Sequence, residues 1–426
     1  EYANKEQAAA HAKKAEKKTQ ARPILEKSLD LYQQAFLELP ENHPAKADVI
    51  GKRQYTPEII NDWKISYAPG HNFASQHLSA EELKLAQEIK FTNTKKQDKF
   101  FNRILYPIHN IKGLLIGFGG RALGTDVKFG KWVNSDQSFI YQKSTVWFGL
   151  DRALRAIVDT GEANIVEGYN DVIAWHENGF INTIASCGTE TTVEQITLLK
   201  KYCSRINFTF DDDAPGKKAM LRYIPIFLEN GFTVNVQKTN GVDPDDFVRL
   251  HKEELINKQN KFKEVQQFTD SEEPSESEIE LRKKWKKLSE EEIKEIRTSK
   301  ITPQKYALQK TLDQVAQKVD GFKIILEENL KGNAVEKSKA AYKICEIIAK
   351  IEDEPIQEIY KLWLKQKSNV SIAKIKEWVN QAKAKFEAEA LKKKKASGYL
   401  SYNGASADDD YTLPEKITKT WEEIKN

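Results

Sequence analysis

The chain has 426 residues, 39 % of them apolar and 31 % charged, and its 8 Trp, 15 Tyr and 19 Phe are enough to fill folded cores, which excludes a wholly disordered chain. The length fits two or three domains, and 67 basic against 63 acidic residues leave a net +4, too even to establish a nucleic-acid partner by charge alone. No run nears the length of apolar residues that spans a bilayer. The first twenty residues lack the apolar stretch of a secretory signal, and Cys187, Cys203 and Cys345 are too scattered for a disulfide framework or a zinc cluster, which suits a reducing compartment.

Residues 1–25, rich in Ala, Lys, Glu and Gln and free of glycine, read as a polar helical lead. Ile108 to Phe118 has a strand-like pattern with Lys112-Gly113 as its turn. Gly117-Phe-Gly119-Gly-Arg-Ala122 formally matches a dinucleotide fingerprint, but the glycine-containing stretch after it forms no helix, so that reading fails. No P-loop pattern is present. From 160 a regular rhythm sets in. Ala163–Val166 is apolar and ends at Glu167; Asp171–Asn178 has helical spacing and stops at Gly179. Ile181–Ala185 is apolar again. Thr191-x-x-Glu194 reads as a capping box for a helix to Tyr202. Arg205–Phe210 is a strand ending in Asp211-Asp212-Asp213, Pro215 suits the first turn of a helix to Asn230, and Phe232–Lys238 is a further strand. Strands alternating with helices predict a parallel sheet. From 251 the pattern turns to Lys/Glu-rich helices, interrupted by the acidic, Ser-rich 266–280 and followed after Lys395 by a small, polar stretch.

Ligands of parallel sheets bind at the carboxyl ends of the strands. Those ends carry Glu167, Asp211 with Asp213, and Asp243 with Asp245. Several carboxylates on one sheet edge repel one another, and a hard divalent cation, Mg²⁺ or Mn²⁺ rather than Zn²⁺, relieves that repulsion. Taken singly, each acid is as well explained as a helix cap or a solvated loop residue.

Three blocks in order, Val166-Glu167-Gly168-Tyr169-Asn170-Asp171, Phe210-Asp211-Asp212-Asp213-Ala214-Pro215-Gly216, and Asp243-Pro244-Asp245-Asp246-Phe247, resemble the TOPRIM domain of bacterial DnaG-type primases. Asn170 stands where that family often has an apolar residue, and Pro215 where a small one is common. Upstream, Tyr55 to Pro69, Phe101 to Ile108, Ile116 to Leu123, Lys131 to Ser135 and Tyr141 to Lys143 resemble the segments that open the primase polymerase core. Downstream, Lys337 to Gln366, including Ala349 to Pro355, resembles its helical subdomain. The resemblance covers roughly 26–395, less 251–300. It implies an α/β fold: a mixed α/β basic subdomain over 26–142, a TOPRIM domain with a Rossmann-like parallel sheet over 143–250, a variable insertion over 251–300 and a C-terminal helical subdomain over 301–395. The lead 1–25 and the tail 396–426 are then linkers.

The resemblance further implies DNA-templated synthesis of short RNA primers, with Mg²⁺ or Mn²⁺ held by Glu167, Asp211, Asp213, Asp243 and Asp245, and Asp171 as a further contact or a support behind them. Glu167, Asp211 and Asp213 are the expected catalytic residues. Arg103, Arg121, Lys131 and Lys143 are expected to hold triphosphate and template, whereas Lys128 is read as a solvated surface cation; Trp132, Phe129 and Tyr141 fit either base stacking or a core. Single-stranded DNA and ribonucleoside triphosphates are the implied partners, with a replicative helicase engaged through a region outside this sequence. A monomeric core without membrane contact is expected, in the cytoplasm of a bacterium or serving a phage or mobile element there. Relatives carry a zinc ribbon; three scattered cysteines supply none, so no zinc is expected in this chain and residues 1–25 are read as the linker that follows the ribbon. A TOPRIM nuclease uses the same carboxylates, and a replisome adaptor would need none of them.

Overall fold

The computed structural model describes residues 2–124, 130–188, 191–239, 241–250 and 318–397. The expected insertion, the tail beyond 397, Lys128 and Phe129 lie outside these residues. The strands, in chain order, are β1 (Ser66–Ala68), β2 (Arg103–His109), β3 (Leu115–Ala122), β4 (Trp132–Asn134), β5 (Trp147–Phe148), β6 (Glu162–Val166), β7 (Thr183–Ser186), β8 (Arg205–Thr209), β9 (Thr233–Gln237) and β10 (Lys318–Asp320). They belong to two compact units, one comprising 1–154, 168–173 and 184–195, the other 155–167, 174–183 and 196–426.

The first unit is built on an antiparallel sheet of order β1-β2-β3-β4. The β2–β3 hairpin turns where the sequence suggests. Asn110 Oδ1 accepts from the Lys112 and Leu114 amides, both at 3.0 Å, and Gly113 adopts φ +74°, a conformation natural to glycine. The glycines of β3 serve packing. A Cβ on Gly120 would stand 2.7 Å from Phe100 Cδ1, and one on Gly117 2.8 Å from Ser135 Oγ. The dinucleotide-like run is therefore a strand pressed against side chains. Against this sheet packs the helix Tyr2–Leu37, whose Ala21, Ile24, Leu25, Leu29, Tyr32 and Phe36 are buried. The helix runs unbroken across the expected 25/26 boundary, because its apolar stripe begins at Ala21, ahead of that boundary. In the same unit β5 pairs antiparallel with β7.

The second unit holds the expected parallel strands. β6 pairs with β8, and β8 with β9, all parallel. The helix Ala214–Glu229 connects β8 to β9. β10 adds to β9 in antiparallel sense, so the described part of the region expected to be helical includes a short strand. Helices Gly321–Asn329, Ala334–Lys350, Glu354–Ser368 and Ile372–Ser397 follow.

A row of asparagines crosses the sheet, Asn164 and Asn207 buried and Asn235 half-buried. Asn164 lies opposite Asn207, and Asn207 opposite Asn235. Asn207 Nδ2 donates to Asn164 Oδ1 at 2.9 Å, and Asn235 Nδ2 to Asn207 Oδ1 at 3.2 Å. Asn164 Nδ2 donates to Asn182 Oδ1 at 2.9 Å. The row ends on Glu162, which accepts from Asn207 and, at 2.8 Å, from Lys318 Nζ of β10.

The helix Val193–Lys200 is capped one residue later than expected. Gln195 N donates to Thr192 Oγ1 at 3.2 Å, and Thr192 N to Gln195 Oε1 at 2.9 Å. Gln195 is buried and its Nε2 donates to Val146 O at 2.6 Å. An inward amide with such a partner sets the register that the equally plausible Thr191–Glu194 pair would otherwise compete for.

Candidate functional site

In the second unit the first two acidic groups follow the ends of strands and the third opens a helix, each for a local reason. β6 ends at Val166, and Glu167 follows. β8 ends at Thr209, and the chain turns through Asp211-Asp212-Asp213 into the helix Ala214–Glu229. Asp213 caps that helix, its Oδ1 accepting from Gly216 N at 2.7 Å, an arrangement that orients the carboxylate and suits the positive helix end. Asp212 turns away to Lys217 Nζ at 2.6 Å. Asp211 N donates to Glu167 Oε1 at 3.0 Å, joining the first two strand ends. Gly216 is required by this closeness. A Cβ there would overlap the Asp211 carbonyl oxygen and stand 2.6 Å from Glu167 Oε1.

The Glu167 side chain is reached by solvent, yet its carboxyl is pushed up to about 7. Crowding by protein is the largest cause; the negative charges of Asp211, Asp213 and Asp243 add to it, against the opposing hydrogen bond from Asp211 N. Three acids from two further segments thus lie within electrostatic reach of Glu167.

The third acidic group opens the helix Pro244–Leu250. Trp175 Nε1 donates to Pro244 O at 3.0 Å and pins its start. Carboxylate oxygens of Asp243, Asp245 and Asp246 lie within 4.8 Å of one another. Asp245 is only 7 % exposed, and Arg249 reaches its Oδ2 at 3.5 Å and Asp246 Oδ1 at 3.2 Å. Asp246 and Arg249 were missed in the sequence. Asp246 is visible in the Asp-Pro-Asp-Asp run, and Arg249 falls three and four residues beyond the two acids, the spacing of same-face helical pairs. The donors are all oxygen, as hard divalent cations require.

Asp171 lies in the first unit, where its Oδ2 accepts from Gly168 N at 2.8 Å and closes the turn that opens the helix Tyr169–Glu177.

The expected cations, also in the first unit, fare unequally. Arg103 is 5 % exposed, and its guanidinium donates to the main-chain oxygens of Gly120, Gly130 and Lys131 at 3.1, 2.9 and 3.3 Å. It braces the β2–β4 region from inside; a motif shows the charge and hides the carbonyls that accept from it. Arg121 is bound to Asp48, and Arg53 Nε lies 3.7 Å from the same carboxylate. Arg53, at the end of the short helix Ala47–Lys52 that carries Asp48, was missed in the sequence. Lys131 and Lys143 are exposed; Lys143 lies over Gly188, where a Cβ would collide with its side chain. Tyr141 is buried and belongs to the core. Trp132 is 37 % exposed and meets the Tyr169 ring edge-on at 5.3 Å.

Known families match the chain in two successive parts. The family described as DNA primase catalytic core, N-terminal domain, matches residues 32–154, and the Toprim-like family matches 164–248. A DNA primase of Halalkalibacterium halodurans is 34 % identical over 231 residues, 52 % of this chain and 38 % of that protein. One from Clostridium acetobutylicum is 42 % identical over 161 residues, 37 % of this chain and 26 % of the relative. The chain thus spans less than half the length of these curated relatives. Among solved structures, a DNA primase domain from Pseudomonas aeruginosa superposes with TM-score 0.62 at 23 % identity, covering 84 % of this chain and 99 % of that one. A DnaG primase catalytic domain bound to single-stranded DNA gives 0.61 at 21 % identity, over 85 % and 99 %. At these identities the structural likeness speaks for the fold.

Proposed function

The chain belongs with the DnaG-type primase catalytic cores, and from that premise we propose that it joins ribonucleotides into short RNA primers on a single-stranded DNA template. The observation that carries the reading is the acidic edge of the parallel sheet, where Glu167 is held on the Asp211 amide and raised to about 7 beside Asp211, Asp213 and Asp243. A site that strains to hold its charges is one that gains by taking up a cation.

Glu167, Asp211, Asp213, Asp243 and Asp245, joined by Asp246, would hold Mg²⁺ or Mn²⁺. When bound, such a cation lowers the charge barrier between a primer 3′-hydroxyl and an α-phosphate and stabilises departing pyrophosphate. The chain's own residues position and neutralise. Asp213 spends Oδ1 on the helix cap, which keeps its other oxygen in a fixed direction. Arg249 steadies Asp245 and Asp246 and limits the repulsion within that trio. Arg121, Lys131 and Lys143 would take phosphates of nucleotide and template, with Arg53 added through the shared Asp48, while Arg103 braces the sheet from which Arg121 projects. Positioning and electrostatics suffice for this class of reaction, and it needs no nucleophilic side chain. The site of action is the bacterial replication machinery, or that of an element replicating in such a host.

Primer synthesis on single-stranded DNA with labelled ribonucleotides tests the reading. Product is expected with Mg²⁺ or Mn²⁺, none with chelator, and none from Asp211→Ala. Cleavage of the template without extension products would replace it with the nuclease reading.

A further inference from the structure

Asn170, the residue that departs from the block pattern, has a network of its own within the first unit. It is 5 % exposed. Its Oδ1 accepts from Tyr106 Oη at 2.8 Å and from Tyr55 Oη at 3.1 Å, and its main-chain oxygen lies 3.3 Å from the same Tyr55 hydroxyl. Tyr106 comes from the middle of β2, and Tyr55 from the segment just before the helix Pro57–Asp62. Both lone pairs of the amide oxygen are thereby used. Both rings are buried, and burial pushes the Tyr106 hydroxyl up to about 12, so it stays a donor at neutral pH.

The neighbours of Asn170 are locked as well. The Tyr169 ring stacks on Phe148 at 4.1 Å. Asp171 Oδ2 takes the Gly168 amide at 2.8 Å. Tyr169 and Asn170 therefore tie the first turn of the helix Tyr169–Glu177 to other segments of the unit, Asp171 closes the turn on itself, and Glu167 is covalently the residue before it. An apolar side chain of Asn170's size would fill the space equally well. It would take from the Tyr106 and Tyr55 hydroxyls the side-chain acceptor they share, leaving Tyr55 the main-chain oxygen of residue 170, and would leave the turn without its directional tie.

We propose that Asn170 is a positioning residue for the priming reaction: the Tyr55–Asn170–Tyr106 bridge fixes the Gly168–Asp171 turn and, through it, the direction in which the chain presents Glu167. The proposal rests on the priming reading and adds to it a residue that touches no reacting atom.

The test uses the full chain with Asn170→Leu, Tyr55→Phe, Tyr106→Phe and the Leu/Phe/Phe triple variant. Mn²⁺ binding is read by electron paramagnetic resonance without nucleotide, and kcat and nucleotide KM in primer synthesis. Asn170→Leu is expected to weaken Mn²⁺ binding about tenfold, the scale of one or two lost hydrogen bonds, and to lower kcat with nucleotide KM within about twofold. The triple variant is expected to match Asn170→Leu, since the three side chains act as one unit. A folded Asn170→Leu protein with wild-type Mn²⁺ affinity and kcat overturns the proposal, as does a variant that loses only thermal stability. If Asn170→Leu does not fold, Tyr106→Phe keeps the volume and removes one donor; unchanged Mn²⁺ binding in that variant overturns the proposal too. Wild-type protein that binds Mn²⁺ and makes no primer defeats the priming reading instead, and the Mn²⁺ series still judges Asn170.

Discussion

Two glutamates five positions apart, one opening β6 and the other just beyond its end, have opposite fates. Glu162, at the start of β6, is 7 % exposed. Burial alone would raise its carboxyl, but Lys318 Nζ at 2.8 Å, the Asn207 amide and the Arg205 guanidinium outweigh it, and the group lies below the ordinary glutamate value. Glu167, at the other end of the strand, has one amide donor and three acidic neighbours, and lies at about 7. The deeper of the two is the better satisfied. Burial by itself therefore does not mark a functional acid. What marks Glu167 is a charge the fold leaves uncompensated, whereas the fold answers Glu162 with two cations and an amide. Perturbation toward neutrality at a strand end is the informative sign.

Substitutions along this strand and its partners can break the comparison. The largest effect is expected from Asp211→Ala: a loss of priming on the order of a thousandfold, about 4 kcal/mol of barrier, with a melting temperature equal to or above wild type because repulsion is relieved. A large fall in melting temperature would make Asp211 a structural acid like Glu162. Next comes Glu162→Ala, which leaves Lys318 and Asn207 facing an absent acceptor. A broken buried pair costs roughly 3–5 kcal/mol, and the lower end applies because Lys318 is partly solvated; chemical denaturation should record it with priming by the remaining folded protein unchanged. Gly216→Ala follows. Its Cβ must displace either the Asp211 carbonyl or the Glu167 carboxylate, and a shift of that size at a reacting centre costs about a hundredfold. Wild-type rates for this variant would show that the two acids need not stand where they do.

The smallest effect is in pH dependence, where the two glutamates differ in sign. Glu162 contributes stability that is present above the ordinary glutamate value and is lost as pH falls through its lowered one. Glu167 is raised, so its contribution is present below the ordinary value and is lost as pH rises through about 7. Mg²⁺ competes with the proton at Glu167. It should therefore raise the melting temperature by more at pH 8 than at pH 5.5, and Glu167→Gln should shrink that difference. Equal Mg²⁺ shifts at both pH values, measured by differential scanning fluorimetry, would separate Glu167 from the cation site.

Much of the site was legible before any coordinates. Strand ends announce themselves through an apolar run stopped by an acid, so Glu167 and Asp211 could be assigned to one sheet edge, and the helix from Pro215 was readable from its cap and proline; Asp243 lies six residues beyond β9, where it opens the helix Pro244–Leu250. What stayed hidden depends on partners distant in sequence. Arg103 looks like any surface cation until three carbonyl oxygens close around it. The asparagine row is three ordinary polar residues until β6, β8 and β9 align them. The capping box was displaced by one residue because Thr191 and Thr192 compete equally on local grounds, and the inward pull of Gln195 on Val146 decides between them. β10 is too short for any period to reveal it.

The asparagine row also has an order in time. β6, β8 and β9 lie within one stretch of chain, whereas Lys318 meets Glu162 across 156 positions. Contacts of such separation form late in folding, after the entropy of closing a long loop has been met, and edge strands with few partners open at lower free energy than the sheet centre. The end of the sheet that carries the compensated glutamate is thus completed last and released first: the Lys318–Asp320 amides should exchange with deuterium well ahead of those of Ile206 and Phe208, while the acidic end keeps the strands that deliver its carboxylates.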